Sequence, residues 1–372
     1  MPSSTSSSSR QTAADRPGVA QPVPVRDIPE HRWLPILLGA LLLATALIGG
    51  WEWHWRNFGA IPSIRDDAAL WARERGRIDH GEGDATVLIG ASRTFFDVQL
   101  PVWEKLSGRR PIQLALNGTS PTTELESLAD DPNFKGRLLV GVAPDVFFSG
   151  YEYMGDFFKA YGKQSPSDKV GKWLSMHFVE PYLAFYDPDF ALFTVIKRQD
   201  WPLRKGMEGG TEVRKLTQVD ANRNNYMWPK LVNDPQYRAL ARSIWSEDFG
   251  GPPPTAAELL DSKKTLYLQI ARNTAAVARL KARGITVVYV REPSNGDYLA
   301  FETRVFPRKE GWDELMAHVQ VPGIYYDDYP QLRSGYELPE WSHMSRESAE
   351  RYTRELYGIL QGKYPPADGS RW

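Results

Sequence analysis

Nineteen consecutive residues, Trp33 to Trp51, carry no charged side chain. This run limits the chain more than any other feature. As a helix it would extend ~28 Å, against ~30 Å for the hydrocarbon core of a bilayer. Helix is also the form that satisfies its own backbone hydrogen bonds in lipid. Pro35 falls in the first turn, where a missing N–H is harmless. Trp33 at one end, and Trp51, Trp53 and Trp55 at the other, have the amphipathic rings that favour a membrane–water boundary. A cleaved signal peptide and a buried soluble helix are the competing readings. Against the first, the run is long for a signal sequence and its small-x-small triplet, Ala44–Ala46, lies inside the apolar stretch. The expectation is an uncleaved single-pass anchor over 33–55.

The flanks divide the rest. Residues 1–32 combine a serine run with scattered prolines and no apolar period, which predicts a disordered leader. Arg26 and Arg32 precede the run and Arg56 and Arg65 follow it, so charge asymmetry barely orients it. The short leader and large following domain favour amino terminus inside, domain outside. Residues 56–85 read as a juxtamembrane linker with a helix over 64–76. The main domain is expected over 86–362, with a loose tail at 363–372.

Composition excludes several chemistries. With no cysteine there is no disulfide, thiol nucleophile or cysteine metal site. Six histidines are dispersed without a zinc-binding pair, and no metal or cofactor is expected. Lysine plus arginine total 45 against 46 acidic residues, so nothing predicts a nucleic-acid partner.

Short apolar runs then recur at TVLIG (86–90), IQLAL (112–116), RLLVGV (137–142), ITVVYV (285–290) and GIYYDD (323–328). Continuous apolar runs suit strands buried on both faces. Helical segments fall between them at 98–107, 122–130 and 311–319. A further helix opens on a Thr255/Glu258 capping box and ends near Gly284, and a last one starts at Ser345. Residues 146–254 break this rhythm with an aromatic-rich insertion closed by Pro252-Pro253-Pro254; it could cover the sheet, cap a substrate, or face a membrane or partner. The predicted fold is a three-layer α/β/α domain with about five mostly parallel strands. Ligands of such sheets bind beyond the carboxyl ends of the strands, which places Ser92, Asn117-Gly118, Asp145 and Arg291 at one end, with His343 near them.

A serine hydroxyl becomes an acyl acceptor when a base takes its proton. His343 can be that base, and Glu340, three residues earlier, can orient the imidazole; Asp327 and Asp328 are rival acids. Asn117-Gly118-Thr119 also spells a glycosylation sequon, but a turn beside the site is favoured.

The motifs VLIGASRTFFDVQL and Glu340-Trp341-Ser342-His343 together resemble the GDSL/SGNH hydrolase superfamily, in particular its membrane-anchored bacterial members that modify cell-surface polymers. The resemblance covers about 86–145 and 284–360. It implies Ser92 as nucleophile, His343 and Glu340 as its partners, and an oxyanion hole from the backbone of Ser92 and Gly118. Ala91 replaces the usual aspartate, and Asp145 stands where the third block often has asparagine, leaving Asn117 as a substitute donor. Arg93, Asp145 and Arg291 are candidate substrate contacts. The resemblance implies an extracytoplasmic acyl ester hydrolase or O-acyltransferase of the bacterial inner membrane. Its partners would be a polysaccharide or acylated glycan, a multispanning acyltransferase and the bilayer. The alternative is a noncatalytic carbohydrate-binding or assembly protein.

Overall fold

A computed structural model describes residues 32–199, 201–202, 214–247, 249–250, 255–366, 369 and 371–372. The expected disordered leader, apart from Arg32, and Pro252-Pro253-Pro254 lie outside them. The chain divides into two compact units, Met1–Trp51 and Glu52–Trp372. The helix Trp33–Phe58 contains the charge-free run, is long and apolar enough to cross a membrane, and buries none of its residues.

In the second unit, five strands form one parallel sheet in the order β2-β1-β3-β6-β7: β1 Thr86–Ile89, β2 Ile112–Gln113, β3 Arg137–Gly141, β6 Thr286–Arg291 and β7 Gly323–Tyr325. The register pairs Val87 with Ile112 and Leu138, Leu138 with Val287, and Val290 with Ile324. Successive side chains of a strand point to opposite faces. Accordingly Val87, Ile89, Leu138, Val140, Val287 and Tyr289 enter one core. Leu88, Leu139, Val288 and Val290 enter the other. Helices Thr122–Asp130, Ala256–Ala282 and Trp312–Val319 supply the first core, and helices Leu100–Ser107 and Arg346–Lys363 the second. The α/β expectation and its five strands hold.

The local signals act as chemistry requires, with exceptions. Thr255 Oγ1 accepts the Glu258 N–H, and Glu258 accepts the Thr255 N–H, closing the capping box. Ser345 precedes the last helix but makes no side-chain cap; the loop before it is tied instead by Ser348 Oγ, which accepts the Glu337 N–H at 2.8 Å. The helix expected over 98–107 spans Leu100–Ser107, and a separate short helix, Ser92–Asp97, precedes it. The tail expected to be loose returns to the body: Trp372 is buried, and its indole N–H donates to the Tyr364 carbonyl.

Residues between β3 and the Ala256–Ala282 crossover form the aromatic insertion. It holds short helices and an antiparallel ribbon, β4 Thr217–Val219 and β5 Asn225–Met227, that the sequence pattern does not announce. Its Pro235–Glu247 helix reaches back to the carboxyl end of the sheet through Trp245 and Arg242.

Candidate active site

Strand β1 ends in a crowded turn. A Cβ at Gly90 or at Gly141 of neighbouring β3 would collide with Thr94 Oγ1, so both glycines make room for the first turn of the next helix. That helix, Ser92–Asp97, begins with Ser92 itself, which is half-buried. The Ser92 N–H lies in the first turn, where it has no intrahelical acceptor.

The loop before the last helix packs along this helix residue by residue. Arg93 Nε donates to the carbonyl and hydroxyl of Ser342, each at 3.3 Å. The Phe96 ring stacks on His343 with centroids 4.3 Å apart. The Met344 N–H donates to Asp97 Oδ1 at 3.0 Å. Ser92 and Phe96 are four residues apart and share a helix face, so Ser92 sits one turn from the ring that supports His343. No hydrogen bond joins Ser92 to His343 among the described residues.

Glu340 and His343 form a buried pair. Glu340 Oε1 is 2.8 Å from His343 Nδ1 and also accepts the His343 backbone N–H at 2.7 Å. The other carboxylate oxygen accepts the indole N–H of Trp245 at 2.7 Å. Burial would raise the Glu340 pKa, but the His343 charge and these hydrogen bonds outweigh it and hold the carboxyl below its ordinary value. An ionised carboxylate only accepts, so Nδ1 carries the hydrogen of this bond. Nε2 is buried and has no hydrogen-bond partner among the described residues. The rival acids lie elsewhere: Asp328 binds Arg308 through both oxygens, and Asp327 pairs with Arg333.

The pair is held by an unusual backbone. Trp341 has φ +75°, a left-handed conformation that costs a bulky residue energy. Its ring occupies the space above Gly296, where any Cβ would clash, and Arg242 stacks over it at 5.1 Å. Arg242 also donates to the Pro339 carbonyl at 2.8 Å. The insertion therefore grips the loop twice, through Arg242 and Trp245. Neither was singled out in the sequence; the available signal was a helical YRALARSIW segment, with nothing in it naming a target.

The other sequence candidates divide. Leu116 N–H donates to the Gly90 carbonyl at 3.0 Å, so β1 and β2 leave the sheet side by side; Ser92 and Gly118 each follow two residues later. Gly118 has φ +56°, and Asn117 is half-buried beside it. Arg93 and Arg291 face inward. Both are 2% exposed or less and clamp the two oxygens of buried Glu302, at 2.7 and 2.8 Å. Burial would raise the Glu302 pKa, but Arg291 and Arg93 hold it below its ordinary value. Asp145 Oδ2 accepts the Tyr298 hydroxyl at 2.6 Å, and burial together with Glu302 pushes the Asp145 carboxyl upward.

Two further acids lie underneath. Glu292 accepts the Thr94 hydroxyl at 2.7 Å, and Asp97 holds the Met344 N–H; both are fully buried, and burial pushes both upward. Neither a family model nor a curated protein sequence matches the chain at a significant level.

Proposed function

We propose that this protein is a membrane-anchored serine acyl ester hydrolase or O-acyltransferase acting on a cell-envelope or secreted polysaccharide. The observation that carries the reading is the buried Glu340–His343 pair, with Nε2 unpartnered among the described residues, beside the helix that begins at Ser92. In this reaction His343 Nε2 takes the Ser92 hydroxyl proton as Oγ attacks the acyl carbonyl. Glu340 holds the imidazole and balances its charge. The N–H groups of Ser92 and Gly118 stabilise the oxyanion. Collapse expels the alcohol, which leaves with the proton from His343. Water or an acceptor hydroxyl, deprotonated by the same nitrogen, then attacks the acyl-serine and releases Ser92. The sequence resemblance supplies the polysaccharide substrate and a multispanning acyltransferase partner. The membrane in question is the bacterial inner membrane, with the domain on the periplasmic side.

Arg93, Arg291 and Glu302 serve this reading as supports. Their buried ion pairs fix the Ser92 helix to the end of β6 through Glu302. The test is labelling of the full chain with a fluorophosphonate, followed by peptide mass spectrometry. Adduct on Ser92, lost in Ser92→Ala and in His343→Ala, is the expected result. Unchanged labelling in Ser92→Ala removes the nucleophile.

A second reading, a noncatalytic glycan-binding or assembly protein, is favoured by two observations. Ser92 makes no hydrogen bond to His343 among the described residues, and Asp145, which stands where the resemblance expects an amide donor, is a carboxylate bound to the Tyr298 hydroxyl. Normal polysaccharide acylation by a folded Ser92→Ala/His343→Ala double variant would select it.

A further inference from the structure

The insertion carries large apolar side chains that are exposed among the described residues. Phe178, Tyr182, Tyr186, Leu192, Phe193 and Ile196 are all 43–85% exposed, Phe193 the most. Three of them lie on the helix Leu192–Lys197, at positions i, i+1 and i+4 of one face, and that helix buries no residue. Large apolar side chains exposed together along one segment mark a contact with lipid or with another protein.

The position of this segment in the fold selects lipid. Glu52 is the residue directly after the charge-free run, and its carboxylate accepts the N–H groups of Ala184 and Phe185 at 2.9 and 3.0 Å. Arg56, one turn on, donates to the Tyr182 carbonyl at 2.9 Å. Trp55 stacks on Phe190 with centroids 4.8 Å apart. The segment 182–190 is thereby fixed to the first turn that follows the span. Four helical residues rise ~6 Å, and one headgroup layer is roughly 5–8 Å thick. With the charge-free run read as the membrane span, segment 182–190 is tied to the chain at headgroup depth, where aromatic side chains partition best.

We infer that the 178–196 face of the insertion is a membrane-seated collar, inserted in the leaflet from which the anchor emerges. It rests on the reading of Trp33–Phe58 as a membrane anchor, and not on the acyl chemistry. Such a collar would give the α/β domain a second contact with the bilayer besides the anchor.

The absence of cysteine makes the test direct, because one introduced cysteine labels one place. The full chain, labelled with an environment-sensitive fluorophore at Phe193→Cys or Leu192→Cys, is reconstituted into phosphatidylethanolamine–phosphatidylglycerol vesicles. Glu104→Cys serves as the exposed polar reference and Leu42→Cys reports the anchor. Doxyl-lipid quenching at 193 and 192 at least ~3-fold stronger than at 104, with protection from iodide, is expected for an interfacial face. Iodide access at 193 equal to that at 104, with lipid quenching kept at 42, overturns the collar and leaves the anchor. Protection from iodide without lipid quenching means that protein covers the face, which also overturns it. Loss of lipid quenching at 42 removes the anchor and the collar together.

Discussion

The parallel sheet and the aromatic insertion solve opposite problems with similar residues. In β1, β3 and β6 almost every side chain is buried, and apolar residues alternate between two cores. In the insertion, large apolar residues divide: Trp228 and Phe190 are buried around the carboxyl end of the first helix, while Phe193 and Tyr182 remain exposed. The sheet obtains its order from its own strands. The insertion obtains its order by gripping other parts, at one end the Glu52–Phe58 turns and at the other the Glu340–His343 loop. The sheet thus presents the candidate nucleophile, and the insertion holds the candidate Glu340–His343 pair in place.

The largest expected effect belongs to the sheet end. On the proposed chemistry, Ser92→Ala and His343→Ala each lower acyl transfer by roughly 10⁶-fold, measured as acyl release from a model ester, with the melting temperature nearly unchanged. Near-normal turnover in either variant would separate this site from the activity. Next is the buried ion triad beneath it. Glu302→Gln leaves the Arg93 and Arg291 guanidiniums without their carboxylate, at a cost of about 3–5 kcal/mol in urea unfolding. A small change there would mean that the support of the site lies elsewhere.

Trp245→Phe tests the grip of the insertion. It removes one hydrogen bond to a buried carboxylate, worth about 1.5–3 kcal/mol. It also predicts a pH signature. Glu340 titrates below its ordinary value, so the stability it contributes is complete above the unfolded-state value of about 4.3 and is lost as pH falls through the depressed one. With one stabilising bond gone that loss starts sooner, so the acid unfolding midpoint followed by circular dichroism moves to higher pH. An unmoved midpoint would reduce Trp245 to packing.

The smallest effect is Asp97→Asn. Burial raises the folded pKa of Asp97, so ionising it in the native state opposes folding as pH rises. Asparagine keeps the acceptor for the Met344 N–H without that penalty. The variant is expected to gain on the native chain at neutral and alkaline pH, with the gap closing in acid; a pH-independent difference in melting temperature would contradict this.

Local patterns were readable because their physics is local. The charge-free run, the five apolar strands and the Thr255/Glu258 capping box each depend on neighbours a few residues away, and each is present in the fold. The pairing of Glu340 with His343 was also within reach, since three residues separate them. The Ser345 cap failed because the loop before the last helix is held by contacts made through folding. What only tertiary structure decided is everything that joins distant segments. Arg93 and Arg291 carry the same charge in sequence whether they await a substrate or share Glu302, and a buried guanidinium must take a partner that folding brings to it. Trp245 meets Glu340 across ninety-five residues, and Ala184 meets Glu52 across 132. No period or spacing encodes those meetings; the packing of the insertion creates them.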